Sequence, residues 1–278
     1  MQVKKVINNN IVVSENSSKQ ELIVMGKGIG FKQQIGNQIP ENKIEKVYAI
    51  TTEWNLSKLA ELLTAIPLEQ IQVANEIVSF AKVSLGKSLS ENLFLTLSDH
   101  IHFALERYEK GMVIKNALLW EIKRFYNHEF LIGKEALNLI RERLGISLPE
   151  DEAGFIALHI VNAELTNSDM TQVSEMTQTI QAILTIVKYH FSMDLDEYSL
   201  NYERFVTHLK FFVQRVFSGI HLEGDETARF MYGLIEQYPN EYACTQKIGD
   251  YILKHFHREL DQDELIYLTI HIKRITTK

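Results

Sequence analysis

The stretch Asp151-Glu152-Ala153-Gly154-Phe155-Ile156-Ala157-Leu158-His159-Ile160 returns near the end of the chain as Asp263-Glu264-Leu265-Ile266-Tyr267-Leu268-Thr269-Ile270-His271-Ile272. The acidic pair, the apolar positions and the histidine coincide. Apolar residues at three- and four-residue spacing make both stretches helical. Upstream, Leu97-Ser98-Asp99-His100-Ile101-His102-Phe103 with Glu106-Arg107 matches Phe205-Val206-Thr207-His208-Leu209-Lys210-Phe211 with Gln214-Arg215. The paired histidines are 59 residues apart in the first copy and 63 in the second. Copies of this length are domain-sized and too long for a solenoid unit. The spacing predicts helices over residues 69–85, 91–110, 116–126, 134–144 and 149–165, then 171–190, 198–217, 227–238, 241–257 and 262–275, with an earlier helical start near residue 56. Ser147 with Glu150, and Asp261 with Glu264, stand at capping-box spacing.

Residues 1–57 have a different texture. Short Val- and Ile-rich runs at 3–7, 11–14, 21–25 and 44–50 are separated by turn chemistry such as Asn8-Asn9-Asn10 and Asn16-Ser17-Ser18. They read as four strands with one longer loop over 31–40. A sheet this small buries little core alone and needs a partner, of which self-association is the simplest. The expected fold is therefore multidomain α+β. A small dimeric all-β domain with a four-stranded antiparallel sheet (1–57) precedes two homologous all-α helical bundles (64–170 and 171–278).

Composition narrows the classes. The chain has 278 residues, 45% of them apolar and 23% charged, which excludes a disordered or fibrous protein. The net charge of −7 argues against nucleic-acid binding only until it is divided. Residues 1–57 hold seven lysines and five glutamates, whereas the remainder holds 22 basic and 31 acidic groups. The sheet is basic and the helices are acidic. The single cysteine, Cys244, forms neither an internal disulfide nor a metal knuckle and fits a reducing cytosol. The N-terminus lacks the apolar core of a signal peptide, and no apolar run is long enough for membrane insertion.

Three readings stand for His100, His159, His208 and His271. Each lies in an apolar helical stretch, where a histidine is ordinarily a hydrogen-bonded core residue. A metal ligand is the second reading, and a metal-dependent helical-bundle enzyme is the alternative function. Neither pair has HExxH spacing, and Asp99 and Glu152 complete no known ligand pattern. The third is a phosphoryl-accepting imidazole, whose ordinary pKa near 6.5 leaves it nucleophilic at neutral pH. Repetition of the pair favours a functional reading. The HxH pairs His100/His102 and His255/His257 do not face one way on a helix. His128, His190 and His221 read as surface or packing residues.

Gly26-Lys27-Gly28-Ile29-Gly30-Phe31 is neither a dinucleotide fingerprint nor a P-loop. It reads as a turn, or as a backbone cradle for a ligand with Phe31 as a stacking face and Lys27 as a charge. Lysines for phosphate, asparagines for base or sugar edges and one aromatic form a coherent RNA-binding set.

With these motifs in order, the chain resembles the BglG/SacY/LicT family of bacterial transcriptional antiterminators. The resemblance is carried by Lys4 to Asn10, Met25 to Phe31, Ile44-Glu45-Lys46, Ser98 to Ile101, Lys115 to Glu121, residues 148–164, residues 202–214 and residues 263–272. It implies a non-enzymatic regulator without cofactor or metal. A dimeric RNA-binding co-antiterminator domain would bind a leader mRNA hairpin that overlaps a terminator, upstream of sugar (beta-glucoside-type) utilisation genes. Two phosphotransferase-system regulation domains would follow. It implies phosphorylation at His100 and His159 by a sugar-specific permease (enzyme II), which shuts the protein off. It further implies phosphorylation at His208 and His271 by the carrier HPr, which commonly activates. RNA contact carries over to Lys5, Asn8, Asn10, Gly26, Lys27 and Phe31. Several relatives have arginine at Lys27; lysine keeps the charge without the planar fork and so suits phosphate. Arg107 and Arg215 are the expected basic partners of a phosphohistidine.

Overall fold

A computed structural model describes residues 1–16, 18–19, 21–49, 65–165, 170–219 and 237–277. Four strands, β1 (Lys5–Asn8), β2 (Ile11–Glu15), β3 (Glu21–Met25) and β4 (Lys46–Ala49), form one antiparallel sheet in chain order. Asn-rich turns make the meander: Asn10 N donates to Asn8 Oδ1 at 2.8 Å, and Ser18 N to Asn16 Oδ1 at 2.9 Å. Register runs Val12 against Val24 and Val13 against Ile23, with an irregularity between Val6 and Asn8. β1 begins later than the expected 3–7 because Val3 pairs elsewhere. Its amide donates to Asn37 O at 2.9 Å, and its carbonyl accepts from Gly36 N at 2.8 Å. The 31–40 loop thus lies along the N-terminus. Ile44 ends a short 3₁₀ turn (Glu41–Lys43), so β4 starts after it.

Alternation puts the two faces of the sheet into different cores. Val12, Leu22 and Val24 pack with Val3, Ile29 and Ile39, which the loops bring over that face. Ile11, Ile23 and Met25 join a helical core that includes Ile66, Ile71, Ile77, Leu97, Ile101, Ile156 and Ile160. The helices of the same chain therefore supply much of the apolar cover that a four-stranded sheet lacks.

Five helices follow in the first repeat: α1 (Leu68–Leu85), α2 (Asn92–Glu109), α3 (Leu119–Phe125), α4 (Asn127–Leu144) and α5 (Glu150–Glu164). α1 ends on Gly86, whose positive φ of 61° lets its amide reach Lys82 O. α4 starts about two turns before the expected residue 134. Gly133 is a poor helix former, but the buried stripe Phe130, Gly133, Ala136 and Ile140 runs through it. α5 is buried almost all round. Its expected capping box does not form. Pro149, extended at ψ 158°, is the flanking residue with no side-chain cap, which leaves Ser147 two residues too early to reach the first-turn amides.

The second repeat contributes α6 (Met170–Phe191), α7 (Leu200–Ser218), α8 (Pro239–Phe256) and α9 (Gln262–Thr276). Here the second predicted cap is present: Asp261 accepts from Glu264 N at 2.8 Å and opens α9. The helices expected from residue 56 and over 227–238 lie outside the described residues, apart from the last two of the latter. By contact the chain forms two units, Met1–Asn116 with His128–Thr166, and Ala117–Asn127 with Asn167–Lys278. Helix α3 belongs to the second unit, where the Arg124 guanidinium lies over the Tyr202 ring at 4.7 Å. No helix among the described residues is long and apolar enough to cross a membrane.

Candidate functional site

The first site lies where α2 meets α5. Their apolar faces pack together, which carries His100 on α2 up to His159 on α5, with ring centroids 4.9 Å apart. The same packing buries Glu152, in the first turn of α5. Its Oε2 lies 3.0 Å from His100 Nε2, and its Oε1 accepts from Arg107 Nη2 at 2.9 Å. A carboxylate so buried is ordinarily pushed up by desolvation. The hydrogen bond and charge of His100 and the Arg107 guanidinium outweigh this and hold Glu152 below the usual carboxylate range. His159 has no such compensation: burial, reinforced by His100, lowers its pKa to about 3. Its Nδ1 is buried without a hydrogen-bond partner. Neighbouring Asp151 accepts from Asn116 N at 2.7 Å, a bond that lowers its pKa and pins the turn after α2.

The second site is built from α7 and α9 in the same way and is wired differently. His208 and His271 stack with centroids 3.6 Å apart. His208 Nδ1 lies 2.8 Å from Tyr267 Oη. Burial lowers both imidazoles, aided by Arg274, and His271 reaches about 4 with His208 beside it. Among the described residues Glu264, the repeat counterpart of Glu152, faces Arg215 Nε at 3.8 Å and Arg258 Nη2 at 3.5 Å. Arg258 also donates Nη1 to Val216 O at 2.9 Å, and to Arg215 O, satisfying carbonyls in the last turn of α7. In both copies the arginine expected to meet a phosphoryl group is already paired with a buried glutamate.

Each site holds paired imidazoles, a partner facing one ring nitrogen and a guanidinium within reach, which suits accepting and stabilising an anion. Among the described residues, no group of three or more His, Cys, Asp or Glu is placed to hold a metal ion. The His100/His102 pair diverges as the helical spacing predicts: His102 Nδ1 pairs with Gln70 Oε1 at 2.9 Å, away from Glu152. His190 pairs with Asn240, and His221 lies outside the described residues. Cys244 is buried, and burial pushes its thiol up to about 12.

The third site is a knot of backbone at the end of the sheet. Gly26 N donates to Asn10 O at 3.0 Å, Gly30 N to Asn9 O at 2.9 Å, and Gly28 N to Asn10 Oδ1 at 2.9 Å. Asn8, Asn10 and Gly26 are thereby brought together. The chain's own backbone already requires glycine at two of these positions. A Cβ at Gly26 would sit 1.7 Å from Lys43 O, and one at Gly30 2.1 Å from Asn8 O. The knot holds Lys27 and Phe31 outward; Phe31 is 56% exposed, with Lys32 Nζ over its ring at 5.4 Å. Lys5 is exposed on β1, in register with Val13 and apart from the knot. Sequence reasoning missed Glu45, whose Oε1 accepts from Lys27 N at 3.1 Å while Oε2 accepts from Gln72 Nε2 on α1 at 2.5 Å. It also missed Tyr267, Arg258 and the glutamates as histidine and arginine partners. The repeat alignment did pair Glu152 with Glu264, and two acids recurring inside an apolar helix are the signal that would have found them.

Comparison with known proteins bears on all three sites. Residues 1–56 match the CAT RNA binding domain, and residues 75–163 and 181–275 each match the PRD domain. The chain is 50% identical to the transcription antiterminator LicT of Bacillus subtilis over 99% of both chains. It is 42% identical to the beta-glucoside operon antiterminator of Dickeya chrysanthemi, over 100% of this chain and 98% of that one. The crystal structure of GlcT CAT-PRDI aligns with a TM-score of 0.52 at 35% identity, covering 60% of this chain and 98% of that one.

Proposed function

Because this chain belongs to the family of the LicT and beta-glucoside operon antiterminators, with a CAT RNA binding domain and two PRD segments, we propose that it is a transcriptional antiterminator switched by phosphorylation of its paired histidines. The observation that carries the reading is identity of 50% along the whole length of an antiterminator. That family consists of regulators and not enzymes, and the metal-dependent enzyme finds no support in it.

In this reading residues 1–57 bind a hairpin in a leader transcript as a homodimer. Regulation domains over 64–170 and 171–278 respond to the sugar phosphotransferase system. Phe31 stacks on an unpaired base, Lys5 and Lys27 meet phosphates, and Asn8, Asn10 and Gly26 shape the surface between them. Unpaired bases are the target because the deep groove of A-form RNA hides base edges. The protein works in the cytoplasm, where the transcript emerges.

The switch is electrostatic. A phosphoryl group adds roughly −1.5 to −2 charges. On His100 it is added to a ring whose Nε2 lies 3.0 Å from the Glu152 carboxylate. The phosphate competes with Glu152 for Arg107, which shifts α2 against α5. On His208 it meets Arg215 and Arg258, already gathered around Glu264. The first event, driven by a sugar permease, turns the protein off. The second, driven by HPr at His208 and His271, turns it on. Each biases a two-state dimer by differential charge pairing.

In-vitro transcription through a beta-glucoside leader terminator tests this with the full chain. Readthrough should rise with the protein, rise further with phosphorylated HPr, and fall with a phosphorylated sugar permease. Termination unaffected by the protein would overturn the proposal.

A further inference from the structure

We infer that the two copies accept the phosphoryl group on opposite ring nitrogens: Nδ1 of His100 in the first and Nε2 of His208 in the second. This rests on the reading that these histidines are phosphoryl acceptors and specifies the atom.

In the first copy Nε2 faces a carboxylate: it lies 3.0 Å from Glu152 Oε2, a close contact without hydrogen-bond alignment. An ionised carboxylate can only accept, so the neutral form of the ring, the one that attacks phosphorus, keeps its hydrogen on that nitrogen. Arg107 holds the other carboxylate oxygen at 2.9 Å and keeps the acceptor in place. A neutral imidazole has one N–H, so its lone pair is on Nδ1. Phe155, at the repeat position of Tyr267, has its ring 5.9 Å from His100 and offers that nitrogen no hydrogen bond.

In the second copy the occupied nitrogen is the other one. Tyr267 Oη lies 2.8 Å from His208 Nδ1 and 3.4 Å from the His208 carbonyl oxygen. A carbonyl only accepts. Nδ1–H donating to Oη, with Oη–H donating to the carbonyl, uses each donor once and leaves the lone pair on Nε2. Glu264 does not compete for Nε2 because Arg215 and Arg258 draw it away. The lead-in to α5, Gly145-Ile146-Ser147-Leu148-Pro149, contains no arginine to do the same to Glu152. Two differences between the copies, phenylalanine for tyrosine and the added Arg258, thus reverse the ring.

The step balances with a phosphohistidine as donor. The acceptor lone pair forms the new N–P bond. The old N–P bond breaks, and its electron pair returns to the donor ring. No proton leaves. The acceptor's second nitrogen keeps its hydrogen, facing Glu152 in one copy and donated to Tyr267 Oη in the other, and the ring becomes an imidazolium carrying a phosphate. Glu152 and Tyr267 are positioning residues in this scheme.

The test uses the full chain with phosphoramidate, a donor small enough to reach either nitrogen. Peptides released at alkaline pH are identified by mass spectrometry, and the phosphorylated nitrogen is assigned by ³¹P NMR. Ring tautomers of the unphosphorylated chain are read separately by long-range ¹H–¹⁵N NMR. The expected result is Nδ1-phosphohistidine at His100 and Nε2-phosphohistidine at His208, with the free-ring hydrogens on Nε2 and Nδ1 respectively. Tyr267→Phe should convert the single His208 product into a mixture. The same nitrogen labelled in both copies, or a His100 hydrogen on Nδ1, overturns the inference and leaves phosphoryl acceptance standing. Label on exposed histidines but on neither His100 nor His208 overturns the acceptor reading, and this inference with it.

Discussion

The imidazole of His271 stacks on that of His208 with 3.6 Å between ring centroids, and burial lowers its pKa to about 4. A proton that enters either ring meets a neighbouring imidazole and Arg274. In the unfolded chain the same residue titrates near 6.5. Below that pH the unfolded state binds more protons, so stability is lost as pH falls from about 6.5 toward about 4. Each unit of depression corresponds to about 1.4 kcal/mol at most. The urea midpoint should drop between about pH 7 and about pH 5, before the carboxylates titrate. His271→Phe should flatten that slope, and His159, lowered to about 3, contributes in the same direction.

Glu152 accepts from Arg107 and lies against His100. Glu152→Met leaves the half-buried guanidinium with no carboxylate, and removing one partner of a buried pair costs about 3–5 kcal/mol. Adding Arg107→Met removes the stranded charge and should recover part of that loss. Urea denaturation of the two single variants and the double variant measures the coupling. Additive losses would show that Glu152 and Arg107 act independently.

Two glycines in the N-terminal domain separate crowding from conformational strain. Gly36 has a φ of 92° with open space where a Cβ would stand, so Gly36→Ala costs only the strain of a positive φ, about 1–2 kcal/mol. Gly30→Ala drives a Cβ to 2.1 Å from Asn8 O and should cost about 3 kcal/mol or more. Because the knot must open, RNA binding should fall with it. Thermal melts and gel-shift titrations of the two variants should rank them in that order.

Phe31 is 56% exposed and contributes little to folding. Its value is the free face, and stacking of one base is worth roughly 1–3 kcal/mol. Phe31→Ala should weaken hairpin binding by about 10- to 100-fold with an unchanged melting midpoint. Unchanged affinity in a gel shift would remove Phe31 from the RNA surface.

Much of this architecture is readable from local pattern. Val- and Ile-rich runs between asparagine turns are the meander, and a capping aspartate opens α9 where Asp261 stands. The misreadings share a cause. The expected start at residue 134 and the expected cap at Ser147 failed because propensity and spacing describe a residue's neighbours in the chain. A buried stripe carries α4 through the glycine, and an extended proline separates the serine from its helix. The RNA-facing set was legible as residue types, but the reason for its glycines was not. Their crowding partners, Lys43 O and Asn8 O, come from other parts of the chain.

The sequence by itself determined that there is one small basic sheet and two copies of a helical unit, each with the same two histidines. Periodicity and repetition are properties of consecutive residues, so they survive without coordinates. Only the tertiary structure decided what each histidine touches. Glu152 and Glu264 occupy the same place in the repeat, yet one divides itself between His100 and Arg107 while the other is drawn to Arg215 and Arg258. That choice depends on which side chains distant segments deliver to a buried carboxylate. A charge in a low-dielectric interior goes to the strongest partner within reach.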